Sequence, residues 1–170
     1  MKNLEIKASY KNHIKLRKFL KKIKARYVGE LHQIDTYFLV PSGRLKLREV
    51  NNQHFELLYY RRDEESNQRW SNYYSYKVAN PRELKNFLSI FLPIIVVVNK
   101  KRSLYYCQNA RLHIDVVKGL GNFMEIEVEV KKGISQAEKL MTKLLDCLDI
   151  PKQDFIKVSY SDLLIKRHNL

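Results

Sequence analysis

Residues 110–129, ARLHIDVVKGLGNFMEIEVE, read as two strands joined through Lys118 to Gly121. On the first, Ala110 to Val117, the apolar Leu112, Ile114 and Val116 alternate with Arg111, His113 and Asp115. On the second, Phe123 to Lys131, the apolar Met124, Ile126 and Val128 alternate with Glu125, Glu127 and Glu129. Successive side chains of a strand point to opposite faces, so each strand has one apolar face and one face of formal charges. The same period continues outward. Asn3 to Tyr10 sets Glu5 and Lys7 between Leu4, Ile6 and Ala8; Arg44 to Val50 presents Arg44, Lys46 and Arg48; Ile94 to Gln108 presents Lys100 and Arg102. An ordinary antiparallel sheet would leave such a face in water. Here the charges sort by strand, and if the apolar faces dock on helices, the charged faces converge on a lumen. The expectation is an α+β fold: an antiparallel β-barrel with helices packed outside.

The remaining segments supply the other walls and the cover. Tyr27 to Val40, His54 to Arg62 and Trp70 to Val78 read as further strands, with Pro41-Ser42-Gly43, Asn51-Asn52 and the polar stretch Asp63 to Arg69 between segments. Leu16, Phe19, Leu20 and Ile23 recur at helical spacing after Asn12, a cap residue. Asn80-Pro81 with Glu83 starts a second helix that ends before Pro93. A third follows Gly133 and Ser135 and ends at Pro151, and a terminal helix is expected over Asp154 to Leu164. No linker, repeat or low-complexity tract interrupts 1–170, so one domain is expected throughout.

Lys and Arg number 32 against 18 Asp and Glu, a net charge of +14, which favours a polyanionic partner. Cys107 and Cys147 stand apart, without the spacing of a disulfide framework or a zinc site. His13, His32, His54, His113 and His168 are scattered singly, with no HxxxH or HExxH pair. GxxxxGK[ST], GxGxxG and GxSxG are missing, so phosphate-loop, dinucleotide and serine-hydrolase chemistry lack their backbone. Phosphates would have to be held by side chains. No apolar run is long enough to cross a bilayer and no signal peptide opens the sequence, so a cytoplasmic protein with no membrane partner is expected.

In a charge-lined lumen, Arg and Lys suit phosphate oxygens, while Glu and Asp two residues apart suit Mg2+ or Mn2+. A metal-bridged oligophosphate would satisfy both walls.

Seven stretches in one order carry a resemblance across nearly the whole chain: Asn3-Leu4-Glu5-Ile6-Lys7, His32-Gln33-Ile34-Asp35-Thr36-Tyr37-Phe38, Gly43 to Arg48, Leu57 to Arg62, Val98 to Arg102, Arg111 to Gly121, and Phe123 to Glu127. The sequence resembles the CYTH superfamily, the triphosphate tunnel metalloenzymes, which includes class IV adenylyl cyclases, thiamine triphosphatases and inorganic triphosphatases. The resemblance implies an eight-stranded tunnel. It implies Glu5, Asp115, Glu125 and Glu127 as metal ligands, and Lys7, Lys46, Arg48, Arg62, Lys100, Arg102 and Arg111 as phosphate binders. It further implies Glu5, Lys7 and Glu127 as catalytic residues. Arg62 is preferred to Arg61 on the family pattern alone. Asn3 stands where the family's ExExK opening has its first Glu, which lowers the negative charge offered to a metal.

The leading expectation is a metal-dependent triphosphatase acting on inorganic triphosphate, a nucleoside triphosphate or thiamine triphosphate. Two alternatives stay open. A class IV-type adenylyl cyclase would make cAMP and pyrophosphate from ATP in the same tunnel. A non-catalytic module would bind polyphosphate or RNA through the basic exterior, with Lys15, Arg17, Lys18, Lys21, Lys22 and Lys24 on the first helix. Nucleic acid is the less favoured partner, because such a cluster is ordinarily a solvated face. The chain is expected as a monomer or homodimer.

Overall fold

The computed structural model describes residues 3–10, 13–62, 71–131, 133–148 and 154–168. In chain order the elements are β1 (Asn3–Ser9), α1 (His13–Lys22), β2 (Arg26–Phe38), β3 (Arg44–Val50), β4 (His54–Arg62), β5 (Ser71–Lys77), α2 (Pro81–Ser89), β6 (Ile94–Cys107), β7 (Ala110–Val117), β8 (Gly121–Glu129), α3 (Ile134–Leu148) and α4 (Tyr160–His168). The strands make one eight-stranded sheet in the order β1-β8-β7-β6-β2-β3-β4-β5, every pair antiparallel. Among the described residues no ladder joins β5 to β1, so the barrel is open along that seam. Part of β1's free edge is bonded instead by the following chain: the Ile156 amide donates to the Lys7 carbonyl, and Ala8 bridges Phe155.

Local chemistry sets the corners. Asn51 and Asn52 both take positive φ, the conformation that tightly reverses β3 into β4 and that Asn tolerates. At Gly43 φ is +68°, and a Cβ there would stand 2.8 Å from the Tyr59 hydroxyl, so only Gly fits. The Asn80 side chain accepts from the Glu83 amide and Pro81 opens α2, as the residue pattern predicts. Asn12, the connection Asp63 to Arg69, Trp70 and Pro151 lie outside the described residues.

The apolar faces are covered in two blocks. Leu16, Phe19 and Leu20 of α1 and Leu140, Met141 and Leu144 of α3 pack on Leu112, Met124, Ile126 and Val128, the outer face of β7 and β8. Leu88 of α2 packs on Phe38 and Leu47, the outer face of β2 and β3.

The terminal helix differs from its expectation in position and in side. It begins at Tyr160 because Ser159 and Asp162 form a reciprocal cap: the Ser159 amide donates to the Asp162 carboxylate at 2.9 Å, and the Asp162 amide donates to the Ser159 hydroxyl at 3.2 Å. Its Tyr160 and Leu164 pack with Tyr37, Val96, Val98, Val117 and Phe123. Those five share the face of the charged side chains, so α4 closes over the concave side while α1, α2 and α3 lie outside.

Candidate functional site

Strand register determines which charges meet. Arg102 stands opposite Asp115, His113 opposite Glu125, and Arg111 opposite Glu127. Across the next ladder Lys7 faces Glu125 and Glu5 faces Glu127. On the other side Asp35 is opposite Arg48 on β3 and Val98 on β6, with Lys100 one step along. All of these side chains therefore share the concave face.

Two groups form there. On β2 and β3, Asp35 is a buried carboxylate gripped from three sides: Lys46 Nζ donates at 2.9 Å, Arg48 donates through Nε at 2.8 Å and Nη2 at 2.9 Å, and Gln33 Nε2 at 3.0 Å. Burial alone would raise its pKa, but Lys46 and Arg48 outweigh that and hold it far below the usual carboxylate range. Lys46 is pulled down by burial, an effect that Asp35 only partly offsets.

On β1, β6, β7 and β8 the carboxylates are more numerous. Arg102 chelates Asp115 with Nε at 2.7 Å and Nη2 at 2.6 Å, and the same Nη2 reaches Glu125 at 2.7 Å. Arg111 pairs with Glu127 at 2.7 Å, Lys100 lies 3.6 Å from Asp115, and Lys7 lies 3.5 Å from Glu5 and 3.9 Å from Glu125. The Tyr160 hydroxyl donates to Asp115 at 2.9 Å, and both Lys7 and Lys100 sit over its ring. Burial and the adjacent Arg102 bring the Lys100 ammonium down to about 8. The two groups share one field, since Lys100 acts on Asp35 and Arg102 on Arg48.

Glu125 and Glu127 respond in opposite senses. Burial pushes both up, but Lys7 and Arg102 carry Glu125 well below its ordinary value, whereas Glu127 stays raised because burial and Glu125 outweigh Arg111. The cations near Glu127 thus do not offset its burial. His113, Glu125 and Glu127 each offer a ligand atom within 4.8 Å of the others, a group that could hold a metal ion. Burial and Arg102 keep His113 neutral, its pKa lowered to about 3, and neither ring nitrogen has a hydrogen-bond partner. A carboxylate whose burial its cations do not offset and an orphaned buried imidazole within reach of it are what a divalent cation would satisfy, so the donor set fits such an ion.

Lys7, Lys46, Lys100, Arg102, Asp115 and Glu125 are buried on this face, and Glu5, Arg48, Arg111 and Glu127 reach its more open parts. Asp115 is drawn to Arg102, Lys100 and Tyr160, away from the group around Glu127. Arg62 stands opposite Ser71 at the end of β4, and Asn3 opposite Glu129; their side chains lie outside the described residues. Arg61 is exposed and bonds Tyr59 and Ser42. The basic residues of α1, Lys15, Arg17, Lys18, Lys21 and Lys22, are exposed, as is Lys24 just beyond its end. Asp35 and Tyr160 have no site role in the sequence pattern, and His113 is placed there on the charged face but, without a paired histidine, is not counted as a metal ligand. Asp35 alternates with Gln33 and Tyr37, a polar period that could have marked it, whereas nothing local ties Tyr160 to Asp115.

Residues 1–160 match the family model of the CYTH domain. Among solved structures, a Pyrococcus horikoshii protein superimposes with a TM-score of 0.83 at 21% identity, covering 95% of this chain and 98% of its own. A Vibrio parahaemolyticus protein named as a candidate adenylate cyclase gives 0.75 at 18% identity, covering 96% of this chain and 98% of its own. An adenylyl cyclase candidate from Hippeastrum, with a dominant triphosphatase activity, gives 0.67 at 16% identity, covering 100% of this chain and 97% of its own. No curated protein matches the sequence. Among the described residues no helix is long and apolar enough to cross a membrane.

Proposed function

This chain belongs to the CYTH domain family, and on that premise we propose that it is a divalent-metal-dependent hydrolase of a linear triphosphate. The observation that carries the reading is the convergence on one concave face of Lys7, Lys46, Arg48, Lys100 and Arg102 with Glu125 and Glu127. A ligand rich in phosphoryl oxygens and accompanied by Mg2+ or Mn2+ answers both signs of charge. The likeness to the Hippeastrum protein, with its triphosphatase activity, supports the same choice.

In this reading Lys46 and Arg48 bind one end of the phosphate chain, and Lys7, Lys100, Arg102 and Arg111 bind the other. Arg62 adds a further contact. Asp35 keeps Lys46 and Arg48 in place before the ligand arrives, so little reorganisation is needed at binding. Glu125, Glu127 and Glu5 would be the oxygen donors to the metal, with Asp115 joining them once Arg102 turns to a phosphate, and the metal would offset charge on the phosphoryl oxygens. Glu5, whose side chain is 22% exposed, orients the attacking water, and Lys7 beside it faces the terminal phosphoryl group. Water adds to phosphorus, the anhydride P–O bond breaks, and orthophosphate and the shortened chain leave with release of a proton. No covalent intermediate on the protein is required.

The test is to incubate the pure chain with inorganic triphosphate, ATP or thiamine triphosphate and Mg2+ or Mn2+, and to identify the products. Orthophosphate formation that stops on chelation is expected. Pyrophosphate with cAMP would replace hydrolysis by cyclisation, and tight binding without turnover would make the chain a polyphosphate-binding module.

A further inference from the structure

His113 projects from the middle of β7 onto the charged face, between Arg111 and Asp115 and opposite Glu125. It is 6% exposed, and both of its ring nitrogens are buried without a hydrogen-bond partner. Leaving a buried polar group unmet costs about 1–3 kcal/mol, and an imidazole without a partner on either nitrogen is unusual enough to need a cause. An apolar side chain of similar size would avoid that cost. The surroundings give a direction: Nδ1 lies 3.9 Å from Glu127 Oε1, beyond hydrogen-bonding range.

The carboxylates are disposed to match. Arg102 engages Glu125 through Oε2, and Arg111 engages Glu127 through Oε2. On the other oxygen, Glu125 Oε1 lies 3.9 Å from Lys7 Nζ, and Glu127 Oε1 lies at the same distance from His113 Nδ1. Ligand atoms about 2.1–2.2 Å from a common ion stand roughly 3 Å apart when adjacent and about 4.3 Å apart when opposite. The three donors already lie within 4.8 Å of one another, so small rotations of the side chains would close them on one ion.

We infer that His113 supplies a nitrogen ligand to the cation held by Glu125 and Glu127, giving a mixed imidazole and carboxylate site that prefers a first-row transition ion such as Mn2+ to Mg2+. The inference rests on the metal-dependent reading above and extends it to the choice of metal. Mg2+ keeps its waters and favours oxygen donors almost exclusively, whereas first-row transition ions, with Mn2+ at the weak end of their series, gain more from an imidazole nitrogen. A site made of carboxylates alone would discriminate less.

The experiment is run on the full chain without any phosphate ligand. Mn2+-loaded protein is examined by electron spin-echo envelope modulation, and Mn2+ and Mg2+ affinities are measured by calorimetry for wild type and His113→Gln. Wild type should show the modulation of a directly bound imidazole nitrogen, which disappears in H113Q. The ratio of Mn2+ to Mg2+ affinity should fall by roughly 10-fold or more in the variant, on the scale of metal-site perturbations, with Mg2+ affinity changed far less. Bound Mn2+ without nitrogen modulation in wild type, or no Mn2+ binding at all, overturns the inference. So does an unchanged affinity ratio in H113Q. If that variant fails to fold, the wild-type spectrum alone decides. Since no substrate is present, a nitrogen-ligated Mn2+ in a chain that hydrolyses no triphosphate would overturn the proposed function and leave this inference standing.

Discussion

Asp35 and Glu127 are both carboxylates on the concave face, yet one is satisfied and the other is not. Asp35 receives four hydrogen bonds from Gln33, Lys46 and Arg48, and its affinity for protons collapses. Glu127 has Arg111 on one oxygen, stands beside Glu125, and its affinity for protons rises. The contrast separates a carboxylate that holds cationic side chains for an anion from one that awaits a cation of its own. A buried charge stabilises a fold only where its partners outweigh desolvation, a condition that Asp35, Asp115 and Glu125 meet and Glu127 does not.

The largest expected effect tests the satisfied side. Asp35→Asn leaves Lys46 and Arg48 facing a neutral amide, and should cost about 3–5 kcal/mol of stability at pH 7, read by denaturant unfolding. The sign with pH follows from the depressed folded pKa. Asp35 contributes its stability above the ordinary carboxylate value, and that contribution is lost as pH falls below it, so the acid limb should flatten in D35N. An equally steep limb would mean that other carboxylates govern acid unfolding.

Glu127→Gln should do the reverse. With its folded pKa raised, Glu127 loses stability for the fold as pH rises through and above its ordinary value, so E127Q should be no less stable than wild type at pH 7. Its turnover of triphosphate should nevertheless drop by at least ~100-fold, the scale of removing one preorganised charge contact. Strong destabilisation with turnover retained would erase the distinction between the two carboxylates.

A smaller effect separates the concave face from the basic exterior. Arg48→Ala should weaken triphosphate binding by about 2–3 kcal/mol, as expected for a charge-assisted contact in a confined site, while Lys21→Ala on the solvent face of α1 should stay within roughly 0.5 kcal/mol. Calorimetry at two salt concentrations, on variants shown to be folded, makes the comparison. Equal losses would place the ligand on the outside. Tyr160→Phe removes one donor to the Asp115 carboxylate and leaves Arg102 and Lys100 in place, so denaturant unfolding should show a loss of about 1.5 kcal/mol of stability.

Much of this arrangement was legible before any tertiary information. Period-two alternation assigns each residue to a face through local backbone geometry alone, so Lys46 with Arg48, and Glu125 with Glu127, were grouped correctly by face from the sequence. The turn at Asn51-Asn52 and the cap at Asn80 follow from side chains that reach only a few residues. The cap at Ser159 is equally local, in the run Ser159-Tyr160-Ser161-Asp162, and it starts the helix six residues after the expected Asp154.

What alternation cannot supply is which strands become neighbours and in what register. The β2–β6 pairing joins segments some sixty residues apart and brings Lys100 to the group around Asp35; the β6–β7 and β7–β8 registers set Arg102 between Asp115 and Glu125 and turn a lone histidine into a neighbour of two glutamates. Nor does any local period reveal that the final helix crosses to the charged side, where Tyr160 meets Asp115 across forty-five residues. The sequence by itself determined the faces and the sign of their charges, because those follow from the pitch of a strand. Tertiary structure alone decided which charges are spent on one another and which are left for a ligand, because that depends on distances between residues remote in the chain.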